Sequence, residues 1–202
     1  GSQTTLTSTS VASGGATIIS WEWDLDGDGQ FDDATGSSID TIFPGSGTFN
    51  IGLLVTTDID APESKYDAFV TVHPVPVADF TAPDVCEGSV SALASTSTIS
   101  GGSITSWEWD LDNDGLYDNA TGSVIAHDFV NAGTYVVGLQ ITSDQGCQST
   151  TSENVTVDPM PTVEFGVAEV CLGDDTELTA TSTVSSGTVD QYSWELNGNG
   201  LF

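Results

Sequence analysis

Carboxylates recur at alternate positions in two stretches of this chain: Asp24, Asp26 and Asp28, followed by Asp32 and Asp33, and Asp110, Asp112 and Asp114, followed by Asp118. Gly29 and Gly115 stand at the sixth position of each stretch. Carboxylates at positions one, three and five with glycine at six are how twelve-residue loops wrap oxygens around Ca²⁺. Carboxylates held this close repel one another, and a hard dication accepting about six to eight oxygens is the usual way to keep them together. The backbone carbonyls of Gln30 and Leu116 would supply the seventh-position ligands, and Asp32 and Asp118 the ninth, directly or through water. Position twelve is Thr35 or Thr121 instead of a bidentate Glu. Affinity for Ca²⁺ is therefore expected to be modest, with Kd about 10⁻⁴ to 10⁻³ M as in extracellular modules. The plainer alternative is a solvated acidic hairpin in which Asp, Asn and Gly serve turn geometry. A third version of the loop, Glu195, Asn197 and Asn199, has lost two of its carboxylates and is a weaker candidate.

The rest of the composition narrows the function. Among 202 residues there are 30 Asp or Glu and a single Lys or Arg, a net charge of -29. That excludes nucleic-acid binding, because neutralising phosphates needs clustered Lys and Arg and only Lys65 exists. No apolar run reaches the ~18 residues of a membrane helix, so no direct membrane insertion is expected. Five Trp, eight Phe and four Tyr are enough to build packed cores. Adaptation to high salt would scatter acids over the surface, whereas nine of the 30 fall in the two loops.

The elements that position these loops are repeated. Ser-Trp-Glu-Trp-Asp-Leu-Asp from Ser20 to Asp26 returns from Ser106 to Asp112, and Gly47-Thr48-Phe49 and Ile51-Gly52-Leu53 return as Gly133-Thr134-Tyr135 and Val137-Gly138-Leu139. A related register carries Pro74, Phe80 and Cys86 onto Pro159, Phe165 and Cys171. Three copies are read: 1–74, lacking its N-terminal strand; 75–159, complete; and 160–202, an N-terminal half. The chain is thus expected to be a segment of a longer tandem array. Within a copy the hydrophobic period is two, as in Tyr135, Val137, Leu139 and Ile141. About seven short strands per copy predict an all-β chain of tandem immunoglobulin-like sandwiches, joined at Pro74-Val75-Pro76 and Pro159-Met160-Pro161 into an extended array.

Trp-Glu-Trp-Asp, then His127-Asp128-Phe129, then Gly133-Thr134-Tyr135 with its alternating strand, resembles the PKD (polycystic kidney disease) domain, an immunoglobulin-like sandwich. The first copy departs from it at Thr41. The Asp-Leu-Asp-Gly-Asp-Gly insertion and the Val-Cys and Gly-Cys pairs resemble the version in giant surface proteins of Bacteroidota, gliding adhesins among them. This resemblance implies export by the type IX system and a place at the cell surface.

Cys86 and Cys171 are equivalent positions one copy apart and are not expected to pair, since a disulfide needs Cα atoms within about 7 Å. Cys86 opens the second copy and Cys147 lies near its last strand, so a Cys86–Cys147 disulfide is expected, closing a loop worth about 4 kcal/mol. Ala61 stands where the first copy would carry its second cysteine. His73 and His127 do not mark a repeated site, and no catalytic constellation recurs, so no enzyme is expected. Trp21 with Trp23, and Trp107 with Trp109, could stack sugars; strand alternation favours a core role, with Glu22 and Glu108 opposite. Asn119-Ala-Thr121, Asn154-Val-Thr156 and Asp40-Thr41-Ile42 are short glycosylation-like patterns. The reading is a non-catalytic, Ca²⁺-stiffened segment of a secreted adhesin or filament, in contact with neighbouring repeats of its own chain. The alternatives are a carbohydrate-binding accessory region of a secreted hydrolase, or a subunit that exchanges strands with other copies.

Overall fold

The computed structural model describes residues 3–59 and 63–196. Its strands fall into two compact units, one made of Gly1–Val75 with Ile99–Ser103, the other of Pro76–Thr98 with Ile104–Phe202. Among the described residues every regular element is a strand, and no helix is long and apolar enough to cross a membrane.

The first unit holds β1 (Thr4–Thr7), β2 (Ile18–Asp24), β3 (Ala34–Thr35), β4 (Ser38–Thr41), β5 (Gly47–Thr57) and β6 (Ser64–Val72). β1 pairs with β4, and the second sheet runs β3-β2-β5-β6. Its core is Trp23, Phe43, Ile51, Leu53 and Val55, with Leu6 and Ile39 packing on it from the two-stranded sheet.

The second unit begins with β7 (Phe80–Thr81), β8 (Val85–Cys86), β9 (Val90–Ser95) and β10 (Ile104–Asp110), then β11 (Ala120–Thr121), β12 (Val124–Asp128), β13 (Gly133–Ser143) and β14 (Gln148–Asp158). Two sheets, β12-β9-β7 and β11-β10-β13-β14-β8, enclose a core of Phe80, Leu93, Trp109, Leu111, Phe129, Val137, Leu139, Ile141, Val155 and Val157. The predicted alternation holds along β13: Val137, Leu139 and Ile141 are wholly buried, while Val136 just before them faces out. β15 (Phe165–Val167) and β16 (Leu178–Ala180) form a separate antiparallel pair in the third copy.

The repeat is exact at the level of register. Trp23 faces Leu53 and Asp24 faces Gly52 across β2 and β5, as Trp109 faces Leu139 and Asp110 faces Gly138 across β10 and β13. Both β2 and β10 slip register at their start, between Ile18 and Ser20 and between Ile104 and Ser106. Each buried indole also needs a polar partner, and Nε1 of Trp23 and Trp109 donates to the carbonyl of Gly36 and Gly122, at 2.9 Å in both.

The Cys86–Cys147 disulfide is not present, and both residues carry free thiols. The register gives the reason. Cys86 pairs with Asp158 at the end of β14, whereas Cys147 immediately precedes that strand at Gln148. Eleven residues at ~3.3 Å each separate the two levels by about 35 Å, far beyond disulfide reach. Cys171 is also a free thiol, whereas Ala61 lies outside the described residues.

Candidate metal centre

Each acidic loop leaves the end of a core strand. Asp24 and Asp110 are the last residues of β2 and β10, one position beyond the buried indoles, and are themselves 4% and 5% exposed. Their carboxylates organise the turn. Asp24 Oδ1 accepts from the Gly27 N–H (2.7 Å) and Oδ2 from the Gly29 N–H (2.9 Å). In the second copy the Asn113 N–H donates to Asp110 Oδ1 (2.7 Å) and the Gly115 N–H to Oδ2 (3.0 Å). The position after the second loop aspartate must adopt positive φ: it is Gly27 at 75° in one loop and Asn113 at 58° in the other. Asparagine is the residue besides glycine that most readily tolerates this region.

The loop is closed by an aromatic ring lying on a glycine. Phe31 and Tyr117 cover Gly52 and Gly138, where a Cβ would come within 2.9 Å of Phe31 Cε1 and 3.1 Å of Tyr117 Cε1. The same Cβ would stand 3.2 Å from the Cβ of Asp24 or Asp110, so this glycine makes room for ring and carboxylate together. Replacing Gly138 by Ala is expected to overpack the contact and cost about 1–3 kcal/mol, read as a lower urea midpoint at unchanged m-value. In the first loop Lys65 Nζ lies 4.8 Å over the Phe31 ring.

The carboxylates that converge are Asp24, Asp26 and Asp33 in the first loop and Asp110, Asp112 and Asp114 in the second, with oxygens within 4.8 Å of one another in each group. Either triad could coordinate a divalent cation. At about 4 Å, two like charges repel by about 1 kcal/mol in water and about 4 kcal/mol at an effective dielectric of 20, so a cation would relieve a real cost. The second triad consists of the first three carboxylates of the sequence pattern. The first takes Asp33 in place of Asp28. Asp28 instead caps Gln30, accepting from its backbone N–H (2.7 Å) and from Nε2 (3.1 Å), as Asp114 accepts from the Leu116 N–H (2.7 Å). Asp32 and Asp118 are exposed and stand outside the triads. Glu195 of the third loop is among the described residues, whereas Asn197 and Asn199 are not.

Asp33 is the residue that spacing alone missed. Its Oδ2 accepts from the Leu25 N–H (2.6 Å) and the Asp26 N–H (3.2 Å). Asn119 occupies the same place in the second loop, where its Oδ1 accepts from the Leu111 N–H (2.6 Å). An Asp that can be Asn in the sister copy is needed first as an acceptor, and that exchange was the available signal.

The paired tryptophans of the first two copies do not form an exposed platform, whereas Trp194 of the third is 38% exposed. Trp109 is fully buried and Trp23 is 5% exposed, with Trp107 and Trp21 packed against the same cores. His127 is half-buried, edge-on to Phe129 at 4.6 Å, and His73 is exposed.

This arrangement, two β-sheets around a buried tryptophan with an acidic loop at the strand end, is an all-β, immunoglobulin-like and PKD-like sandwich fold. Residues 73–157 match the family model of the PKD domain. The pre-pro-metalloprotease PrtV of Vibrio cholerae serotype O1 is 30% identical over 127 residues, 62% of this chain. The chain spans about 13% of the length of that curated relative. Among solved structures, the PKD1 domain of the same V. cholerae metalloprotease is 32% identical, covering 42% of this chain and 98% of that one, with a TM-score of 0.36. The PKD1 domain of Vibrio anguillarum Epp is 26% identical, covering 43% and 96%, with a TM-score of 0.37. Residues 73–157 are thus similar to PKD domains, a β-sandwich module.

Proposed function

We propose that the chain is a structural accessory region of a secreted bacterial hydrolase, in which PKD-type sandwiches hold Ca²⁺ in their acidic loops and act as stiff spacers outside the cell. The observation that carries this reading is that the repeated aromatic and the repeated buried carboxylate of each sandwich are committed inward. Trp23 and Trp109 fill cores, and Asp24 and Asp110 hold backbone N–H groups, so what recurs serves folding and loop order. Similarity to a region of a metalloprotease supports the hydrolase context, and buried indoles speak against sugar stacking as the accessory role. The recurrence of the whole loop at a fixed register favours a second reading with the same physical job: a segment of a cell-surface adhesin, as the likeness to Bacteroidota gliding proteins implies. The coding region on either side of this segment distinguishes them: a catalytic domain supports the first, a long run of further repeats the second.

Calcium is tested directly. With Kd near 10⁻⁴ to 10⁻³ M, 10 mM Ca²⁺ stabilises each loaded sandwich by about 1.4–2.7 kcal/mol. That corresponds to a rise of at least about 5 °C in Tm for a domain of this size. Thermal unfolding in EDTA against added CaCl₂ measures it, and identical curves would remove calcium from the reading. Mg²⁺, which demands stricter octahedral geometry, is expected to shift Tm less.

A further inference from the structure

We propose that Asp24 and Asp110 protect the acidic loops from a spontaneous backbone reaction, the conversion of Asp-Gly bonds to isoaspartate. The sequence contains three Asp-Gly pairs, Asp26-Gly27, Asp28-Gly29 and Asp114-Gly115, and all of them lie in the two loops. Such pairs are the most reactive of aspartyl bonds, because glycine has no side chain to shield its amide nitrogen. The nitrogen attacks Cγ of the preceding aspartate, a C–N bond forms, and the carboxyl oxygen leaves as water with the amide proton. Water then opens the five-membered succinimide at either carbonyl, restoring aspartate or leaving a main chain that runs through Cβ. The loops cannot escape by changing residue, since Gly27, Gly29 and Gly115 stand at φ 75°, 87° and 86°, where side chains are disfavoured. Asp26, Asp28 and Asp114 are all exposed, so water reaches each bond.

Both partners of the reaction are held at every one of the three bonds. On the nucleophile's side, the Gly27 and Gly29 N–H groups donate to Asp24 Oδ1 (2.7 Å) and Oδ2 (2.9 Å), and the Gly115 N–H donates to Asp110 Oδ2 (3.0 Å). On the other side, each carboxylate accepts from the N–H two residues on: Asp26 Oδ1 from Asp28 (3.1 Å), Asp28 Oδ1 from Gln30 (2.7 Å) and Asp114 Oδ1 from Leu116 (2.7 Å). Ring closure needs the glycine peptide plane to turn until its nitrogen faces Cγ, and that turn breaks the bond to the buried acceptor. Asp24 and Asp110 end core strands and are nearly buried, so the acceptors are anchored in the sandwich. Asp26 and Asp114 also belong to the triads, so isomerisation would displace a carboxylate that a bound cation uses. The protection itself needs no metal.

Ageing the full chain in EDTA at neutral pH and physiological temperature tests this, with isoaspartate located by isoaspartyl methyltransferase labelling and peptide mapping. In the native chain the three bonds should react at least ~10-fold more slowly than in concentrated urea, the factor for one hydrogen bond to a charged group. Equal rates would overturn the proposal. Asp110→Asn, which puts an amide donor in place of one carboxylate oxygen, should speed the reaction at Asp114 by ~10-fold and leave Asp26 and Asp28 unchanged. A slower reaction at Asp114 would mean that the carboxylate acts as a base, the opposite of protection. Val155→Ala loosens the same core but leaves Asp110 intact, so Asp114 should stay slow. If it reacts as fast as in Asp110→Asn, folding alone shields the bond and the role assigned to Asp110 fails. Should Asp110→Asn not fold, hydrogen exchange of the native chain decides. Slow exchange of the Gly27, Gly29 and Gly115 amides supports the lock, and exchange at the open-chain rate overturns it.

Discussion

Replacing Trp109 by Ala is expected to bring the second sandwich close to unfolding. The side chain is fully buried, meets Phe80 edge-on at 5.1 Å and donates to the Gly122 carbonyl. Its neighbours Val137, Leu139 and Val155 are themselves wholly buried, so little can move in to fill the void. Truncations of this kind cost about 3–5 kcal/mol, against a total of about 5–15 kcal/mol for a domain. The Gly122 carbonyl also loses its donor, which adds to the loss. Amide hydrogen exchange along β13 reads the effect. Protection there should fall by ~10²-fold or more, because each ~1.4 kcal/mol is a factor of ten. A fall of less than tenfold would mean that this indole is not the keystone of the core. Trp23→Ala in the first sandwich should cost less, because Trp23 already borders an open groove.

The second large effect separates folding from ion binding within one loop. Asp110→Ala removes the acceptor of two backbone N–H groups at a nearly buried position. Hydrogen bonds to a charged group contribute about 1.5–3 kcal/mol each, so the variant is expected to lose about 3–5 kcal/mol even in EDTA, together with its response to calcium. Asp112 belongs to the same triad but is exposed. Asp112→Asn removes one of three mutually repelling charges, so its Tm in EDTA should be unchanged or slightly higher. Calcium affinity should nonetheless fall by on the order of tenfold, as expected for losing a carboxylate ligand. Calorimetry of both variants with and without CaCl₂ distinguishes the roles. An Asp112→Asn protein that keeps its full calcium response would show that the triad is not the site.

The fold was readable because period, repeat and tryptophan placement agreed. Alternation along Tyr135 to Ile141 put Val137, Leu139 and Ile141 inward, and the recurring Trp-Glu-Trp placed the second indole of each pair in a core. The loops were readable as acidic turns, and every triad member but Asp33 followed from spacing. Asp33 did not, because it reaches back across the loop from beyond the Phe31 ring, and chain distance carries no trace of that return. The cysteines misled for a related reason. Knowing that Cys86 lies near the first strand and Cys147 near the last leaves open which end of the last strand each one meets, and β14 is long enough to make the difference decisive.

The pairing of β8 with β14 bears on how the second sandwich carries load. These two strands run parallel, with Val85 beside Val157 and Cys86 beside Asp158, and the Thr156 N–H is held by Asp84 Oδ1 and the Glu87 N–H by the Asp158 carbonyl. Tension transmitted through the polypeptide pulls such neighbours past each other lengthwise, so their bonds must rupture together, whereas an antiparallel hairpin peels open one bond at a time. A short clasp of this kind makes the domain mechanically tough along the direction in which a tethered protein is stretched.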